Sequence, residues 1–162
     1  MLVVVLMGVS GSGKSTIGPL LAQALGGEYV EGDRFHPPEN VAKMKGGTPL
    51  DDADRKPWLE AIAAAIRGWQ RGRHPVVVSC SALKQSYRDL LAHDAPGLRF
   101  VWLKGDKELI AGRLAARRGH FMPPSLLDSQ YRILEPPRDA IAADVALPPE
   151  ELVPQVAAKL RA

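Results

Sequence analysis

Met1-Leu-Val-Val-Val-Leu-Met7, continued by Gly8-Val-Ser-Gly-Ser-Gly-Lys-Ser-Thr16, is the stretch on which the fold turns. Its first half is an unbroken apolar run of seven residues, three of them β-branched, which suits a short strand buried on both faces. Its second half matches G-x-x-x-x-G-K-[ST] at Gly8, Gly13, Lys14 and Ser15. Downstream, Ile17, Leu20, Leu21, Ala24 and Leu25 carry a helical spacing. Strand, glycine loop and helix in that order are the setting in which this motif binds a nucleoside triphosphate. With glycine at about 7 % of residues, the four fixed positions coincide by chance in roughly 0.5 % of chains of this length. A glycine-rich joint without a ligand is therefore the weaker reading.

Each residue type in the loop has its own task. Gly8, Gly11 and Gly13 let the backbone take positive φ and approach a ligand, so that successive N–H groups converge on one anion. The helix start adds unpaired donors and a positive dipole end. The expected phosphate cradle is Gly8, Val9, Ser10, Gly11, Ser12, Gly13, Lys14, Ser15 and Thr16. Lys14 supplies a mobile charge for the β- and γ-phosphates, and Ser15 a hydroxyl for Mg²⁺.

The 162 residues suit one domain, 1–162, large enough to bury a core without staples. An apolar fraction of 46 % and a charged fraction of 24 % are ordinary for a soluble chain. Cys80 is the one cysteine, which excludes an internal disulfide and fits a reducing compartment. The apolar N-terminus is too short for a membrane span and lacks the basic lead-in of a signal peptide, so a cytoplasmic enzyme is expected. The net charge of +3 comes from Lys and Arg spread along the chain, without the clustered, aromatic-interleaved pattern of nucleic-acid binders. No nucleic-acid or membrane partner is expected.

Glu28-Tyr-Val-Glu-Gly-Asp33 reads as a second strand that delivers Glu31 and Asp33 beside the loop, where ligands of open α/β sheets bind. Asp33 is placed for a reacting hydroxyl; a plain turn aspartate is the alternative. Residues of about 34–58 follow, with His36, Lys43, Asp54 and Arg55 dense enough to suggest an acceptor-binding insert. Pro37 and Pro38 open a short helix that Gly46-Gly47 stops. Asp51 and Asp52 are cap candidates for a longer helix to about Gln70, which tolerates Pro57 only in its first turn. Trp58, Ile62, Ile66 and Trp69 make one apolar stripe. Trp69 reads as core, while Trp58 reads equally as core or as a ligand platform.

Val76-Val-Val-Ser-Cys80 is a third buried strand. It lacks the terminal aspartate that many phosphate-loop proteins use for Mg²⁺, leaving Ser15, phosphates, water and either Glu31 or Asp33 as metal partners. Lys84 and Arg88, four apart on an expected helix, suit a carboxylate- or phosphate-bearing acceptor. Leu98 to Leu103 is a fourth strand, and Asp106 caps a helix with Leu109, Ile110 and Leu114 inward. Arg113 and Arg117 recur on that helix's other side, leading into a Pro-flanked segment; a phosphate-covering lid over about 117–138 is expected, with surface arginines as the bland alternative. A short helix from Ser125 to Leu134, a weak fifth strand at Ala142 to Leu147 and a last helix from Glu150 to Leu160 complete the chain. Five strands joined by helices predict a doubly wound parallel sheet, an α/β fold flanked by helices.

Several motifs then converge. Gly8 to Ser15, Gly32-Asp33-x-x-His36-Pro37, Asn40-x-x-Lys43-Met44-x-x-Gly47, Pro49-Leu50-x-Asp52-x-Asp54-Arg55-x-Pro57-Trp58, Cys80-Ser-Ala-Leu-Lys84, Tyr87-Arg88-Asp89 and Arg118-Gly-His120-Phe121 resemble the short gluconokinases. These are P-loop kinases of the nucleoside-monophosphate-kinase-like fold, similar to shikimate kinases. The resemblance spans about residues 3 to 147, and the blocks at 32–58 and 80–88 are far more specific than the phosphate loop. It implies ATP and Mg²⁺, D-gluconate phosphorylated at C6, and a cytoplasmic homodimer. It further implies Lys14 and Ser15 on phosphates and metal, Asp33 as general base, and His36, Arg55, Lys84, Arg88 and His120 around the acceptor. Arg113 and Arg117 resemble arginines that hold adenine and phosphates, Arg117 acting on the transferring group. Glu31 stands where relatives carry an aspartate or another residue. The residues alone also admit a kinase for another small hydroxy acid, or an NTP-driven switch, though a switch has no need of the polar insert.

Overall fold

The computed structural model describes residues 1–116 and 124–162. Five strands, β1 (Val3–Met7), β2 (Glu28–Glu31), β3 (Val76–Ser79), β4 (Arg99–Lys104) and β5 (Ile141–Asp144), form one sheet in the order β2-β3-β1-β4-β5, every pairing parallel. The register sets Val4 beside Val77 on one side and Arg99 on the other. All five residues of β1 are fully buried, as expected of a central strand covered on both faces.

The helices are α1 (Lys14–Leu25), α2 (Pro38–Lys45), α3 (Asp52–Gln70), α4 (Gln85–Ala92), α5 (Lys107–Ala116), α6 (Pro124–Ile133) and α7 (Pro149–Arg161). The two-residue alternation of β1 divides the core between them. Val3, Val5 and Met7 face Trp58, Leu59, Ile62 and Ile66 of α3 and Leu91 of α4. Val4 and Leu6 face Ile17 and Leu21 of α1 and Leu152, Val156 and Leu160 of α7. A third cluster, Val9, Leu83, Ile110 and Leu127, ties the phosphate loop to the exit of β3, α5 and α6. The doubly wound sheet expected from the sequence is the one observed.

Three local expectations are corrected. Asp33 lies on a 3-10 turn, Gly32–Phe35, because β2 ends at Glu31. Pro57 is the sixth residue of α3, beyond the first turn, and Pro19 and Pro154 hold the same sixth place in α1 and α7. Lys84 is the extended N-cap of α4 and so does not share a helix face with Arg88.

Candidate active site

The site lies beyond the carboxyl ends of β1, β2 and β3. Gly8, Gly11 and Gly13 have φ of 154°, 81° and 105°, the backbone that only glycine takes without strain. Gly13 passes directly into α1, so the loop amides and the helix start face the same space. Lys14 Nζ donates to the carbonyls of Gly8 (2.7 Å) and Val9 (2.9 Å), curling over its own loop. Val9 itself is buried core, so only its backbone is offered to a ligand. Ser12 Oγ is buried with no partner among the described residues, a polar atom that invites an oxygen ligand or water.

Beside the loop is a cavity of about 490 Å³, lined by Gly11, Gly13 and Thr16 of the loop and α1, Arg113 of α5, and the turn Val145 to Pro149. Arg113 donates to the carbonyl of Val145 at 2.7 Å, fixing its guanidinium at the cavity wall. Size, apolar lining and position next to the phosphate loop suit a nucleoside.

At the start of α1 the oxygens converge. Ser15 Oγ donates to the Glu31 carboxylate at 3.2 and 3.3 Å, Tyr29 Oη donates to it at 2.9 Å, and Ser79 Oγ at 3.2 Å. Burial pushes the Tyr29 hydroxyl up to about 12, so it stays a donor. Hydroxyl and carboxylate oxygens are the ligands a hard cation takes, directly or through water. The set therefore fits Mg²⁺ at Ser15, and it brings Glu31 there. Among the described residues no cluster of three His, Cys, Asp or Glu forms a cage, so such an ion depends on phosphate oxygens for the rest of its shell.

The second pocket holds Asp33 and Lys14 together with Ser10, His36, Met44, Leu50, Arg55, Trp58, Ser81 and Gln130, around a volume of about 70 Å³. Gly32 makes this possible: a Cβ there would lie 1.7 Å from the Ser79 carbonyl, so only glycine lets the 3-10 turn cross the end of β3. Gly32 N–H donates to Ser79 Oγ, and Trp58 Nε1–H donates to the Gly32 carbonyl. The Asp33 side chain is 76 % exposed, yet the cleft around it displaces enough water to raise its pKa; Lys14 opposes the rise and Glu31 adds to it. A wide cleft admits solvent while still replacing much of the bulk, and that enclosure governs the direction. His36, its side chain 3 % exposed, stacks on Trp58 at 4.0 Å and 17°. Trp58 is thus core on one face and pocket wall on the other. Burial, aided by Arg55, pushes His36 down to about 4.

Arg55 is 8 % exposed and lines this pocket. Its Nη1 donates to Tyr87 Oη at 3.0 Å, and Tyr87 Oη donates to Asp52 at 2.5 Å. Among the described residues no carboxylate pairs with Arg55. The guanidinium is thus held by a neutral hydroxyl, with the Asp52 carboxylate one hydrogen bond further on, an arrangement that leaves it able to take an anion.

Lys84 and Arg88 are elsewhere. Lys84 pairs with Asp52 at 3.0 Å, behind Tyr87, and so supports Arg55 at one remove. Arg88 Nη1 donates to the carbonyls of Ala82 (2.7 Å) and Leu83 (3.2 Å), and its Nη2 to the Glu135 carbonyl (2.7 Å) and Gln85 Oε1 (3.2 Å). Ala82 has φ of +46°, a strained conformation for alanine, and Arg88 holds that bend in place. Neither cation lines the pocket. The Cys80 thiol is buried, its pKa pushed up to about 12 by burial, and so is unreactive.

Arg117 and His120 lie outside the described residues, as does the first part of the expected lid. The described part, α6 and the residues after it, is packed down. Leu126 and Leu127 are buried, Ser10 N–H donates to Gln130 Oε1 at 2.7 Å, and Glu135 N–H donates to the Leu83 carbonyl. Gln130 and Ser129 carry no periodicity or motif that marks them, and only packing brings them to the pocket; Ser81 lies within the Cys80-to-Lys84 motif but has no role assigned from sequence.

Comparisons with known proteins place the chain in a family. A family model described as "AAA domain" matches residues 3–137. The thermoresistant gluconokinase of Escherichia coli (strain K12) is 44 % identical, over 92 % of this chain and 87 % of the relative. A gluconokinase crystal structure from Sinorhizobium meliloti 1021 superposes with a TM-score of 0.89 at 51 % identity, covering 99 % of this chain and 91 % of that one. Shikimate kinase of Aquifex aeolicus vf5, at 21 % identity, shares the fold with a TM-score of 0.60, covering 99 % of this chain and 96 % of its own.

Proposed function

The chain belongs to the gluconokinase family, and on that premise we propose that it transfers the γ-phosphoryl group of ATP to the C6 hydroxyl of D-gluconate, releasing ADP and 6-phospho-D-gluconate. The observation that carries the acceptor half is Arg55, buried in the pocket with Asp33 and Lys14 and without a carboxylate partner among the described residues. A sugar acid brings the missing anion at one end and a hydroxyl for Asp33 at the other. The alternative cations, Lys84 and Arg88, are already spent on Asp52 and on backbone carbonyls.

In this reading the loop amides and Lys14 grip the β- and γ-phosphates, Lys14 leaving the Gly8 and Val9 carbonyls to do so. Asp33 orients the hydroxyl and takes its proton; its raised pKa brings it closer to the pH at which a base works well. Arg113 steadies the nucleoside side. Mg²⁺ bound at Ser15, with Glu31 beside it, would neutralise charge on the phosphates. Phosphoryl transfer needs little covalent help, so positioning and charge neutralisation carry most of the rate. Arg117 and His120 join the proposal from the resemblance alone, the first on the transferring group and the second near the acceptor. So do a lid, a homodimer and a cytoplasmic location. Among the described residues no helix is long and apolar enough to cross a membrane.

The test is ADP release from ATP with gluconate, against a no-acceptor control and a panel of small hydroxy acids. Gluconate-dependent release with phosphate on C6 is expected. Release with another acid and none with gluconate refutes the substrate, and equal release without any acceptor refutes the kinase.

A further inference from the structure

Asn40, on α2, is 2 % exposed, and its side chain carries two contacts that together set a proton elsewhere. Nδ2 donates to the Asp54 carbonyl at 2.8 Å and stands 3.1 Å from His36 Nδ1. A carbonyl oxygen only accepts, so the Asn40 atom facing Asp54 is its amide nitrogen rather than its oxygen. The second hydrogen of that NH₂ group is then directed at His36 Nδ1, which must be the bare ring nitrogen. A neutral imidazole accepting at Nδ1 carries its proton on Nε2. The ring is neutral near pH 7, being buried and close to Arg55. Its plane is held by the stack on Trp58, and Trp58 is pinned in turn to the Gly32 carbonyl.

Nε2 lies 4.0 Å from Asp33 Oδ1. That is too long for a direct hydrogen bond, but one oxygen can stand about 2.8 Å from both. A hydroxyl fits the gap, accepting from Nε2–H and donating to the carboxylate. A carbonyl oxygen has no proton for Asp33, and a methylene fits neither side.

We propose that Asn40 is a positioning residue that fixes the Nε2–H tautomer of His36, making His36 a preset donor to a substrate hydroxyl whose own proton faces Asp33. The pair then selects a hydroxyl over an oxo group at that carbon. The substrate half of this inference rests on the acceptor pocket proposed above; the tautomer half does not.

Nitrogen-15 NMR of the His36 ring in the ligand-free wild-type enzyme at pH 7 tests the tautomer without any substrate. The expected spectrum has the hydrogen on Nε2 and a pyridine-type Nδ1; a proton on Nδ1, or on both nitrogens, overturns the assignment. Asn40→Asp replaces the donor with an acceptor. It is expected to place a proton on Nδ1, seen in the same spectrum, and to change the KM for gluconate with the KM for ATP unchanged. An unaltered ring in the folded variant, or equal changes in both KM values, overturns the proposal. Should Asn40→Asp not fold, the wild-type spectrum still decides. His36→Gln, which can place an amide N–H near the position of Nε2, is expected to keep about tenfold more kcat/KM than His36→Ala; equal losses count against the donor role. An Nε2–H ring in an enzyme inactive on gluconate would refute the substrate assignment and leave the Asn40 assignment standing.

Discussion

At Asp33 the enclosing cleft raises the carboxyl pKa against the opposing pull of Lys14. A raised pKa means that the folded state binds the proton more readily than the unfolded chain does. The ionised group therefore opposes folding at pH 7, and its effect fades as the pH falls through the raised folded value and is gone below the unfolded one. Asp33→Asn is accordingly expected to raise Tm slightly at pH 7 while lowering kcat by about 10²- to 10⁴-fold with ATP binding retained. Calorimetry and single-turnover assays check both halves; near wild-type transfer would remove Asp33 as the base. His36 has the opposite sign. Its folded pKa, about 4, lies below the unfolded value of 6.5, so the neutral ring's contribution is whole above pH 6.5 and is lost as the pH falls through 4. The loss is at most about 3 kcal/mol, and less after solvent screening. Urea unfolding between pH 7 and 4.5 should show this decline in the wild type and a flatter profile in His36→Phe. Asp52, Asp54 and Asp128, whose pKa values are lowered by hydrogen bonds from Tyr87, Lys43 and Lys107 respectively, respond at lower pH, while Asp33 acts with the opposite sign, so the difference between wild type and His36→Phe isolates the ring.

The element on which the acceptor side depends is the start of α3. Asp51 accepts from Asp54 N–H at 2.7 Å, and Asp54 returns the bond from Asp51 N–H at 3.0 Å, a reciprocal cap. The same opening turns carry Asp52, Arg55 and Trp58, and Lys43 of α2 reaches the Asp54 carboxylate at 2.9 Å. Asp51→Ala is expected to cost about 1 kcal/mol of stability, read as a lower denaturation midpoint at unchanged m-value. It should also raise the KM for gluconate more than that for ATP, because the loosened turn holds Arg55 and not the phosphate loop; equal changes would contradict this division. Pro57 tightens the argument. A proline at the sixth helical residue withdraws the N–H that would reach the second residue's carbonyl, so the start of α3 leans on its cap. α4 works differently: Arg88 is spent on holding the bend at Ala82, and the helix thereby supports the strand exit that leads to Ser81 and Leu83.

For the molecule as a whole, the two cavities meet at the phosphate loop: the one of about 490 Å³ adjoins Gly11, Ser12, Gly13 and Thr16, and the one of about 70 Å³ holds Lys14 with Asp33 in a cleft open to solvent. α6 is the wall joined to the phosphate loop by the bond from Ser10 N–H to Gln130, so phosphate and acceptor binding should both act on it. Hydrogen exchange over 124–134 is expected to change on adding gluconate with a non-hydrolysable ATP analogue, while β1 stays protected. Unchanged exchange in α6, with substrate shown to be bound, would contradict that link.

The donor half was legible from the residues alone, because strand, glycine loop and helix are consecutive and each is specified by local periodicity and backbone freedom. The sheet followed for the same reason; Asp33 follows a short strand that ends at Glu31, and the 3-10 turn that sets it beside Lys14 is packed against Ser79 and Trp58. The acceptor half was not decided locally. Arg55, Lys84 and Arg88 are alike as cations in a sequence, and the difference among them is which partners the fold has already given them. Asn40, Tyr87 and Gln130 acquire their places through contacts with Asp54, Arg55 and Ser10, from other elements of the chain. Local spacing reports which face of an element a side chain occupies; whether a buried charge is satisfied or vacant depends on long-range packing. The phosphate loop was written in the first sixteen residues, and tertiary structure decided which of these cations lines the pocket with Asp33 and which are turned to Asp52 and backbone carbonyls.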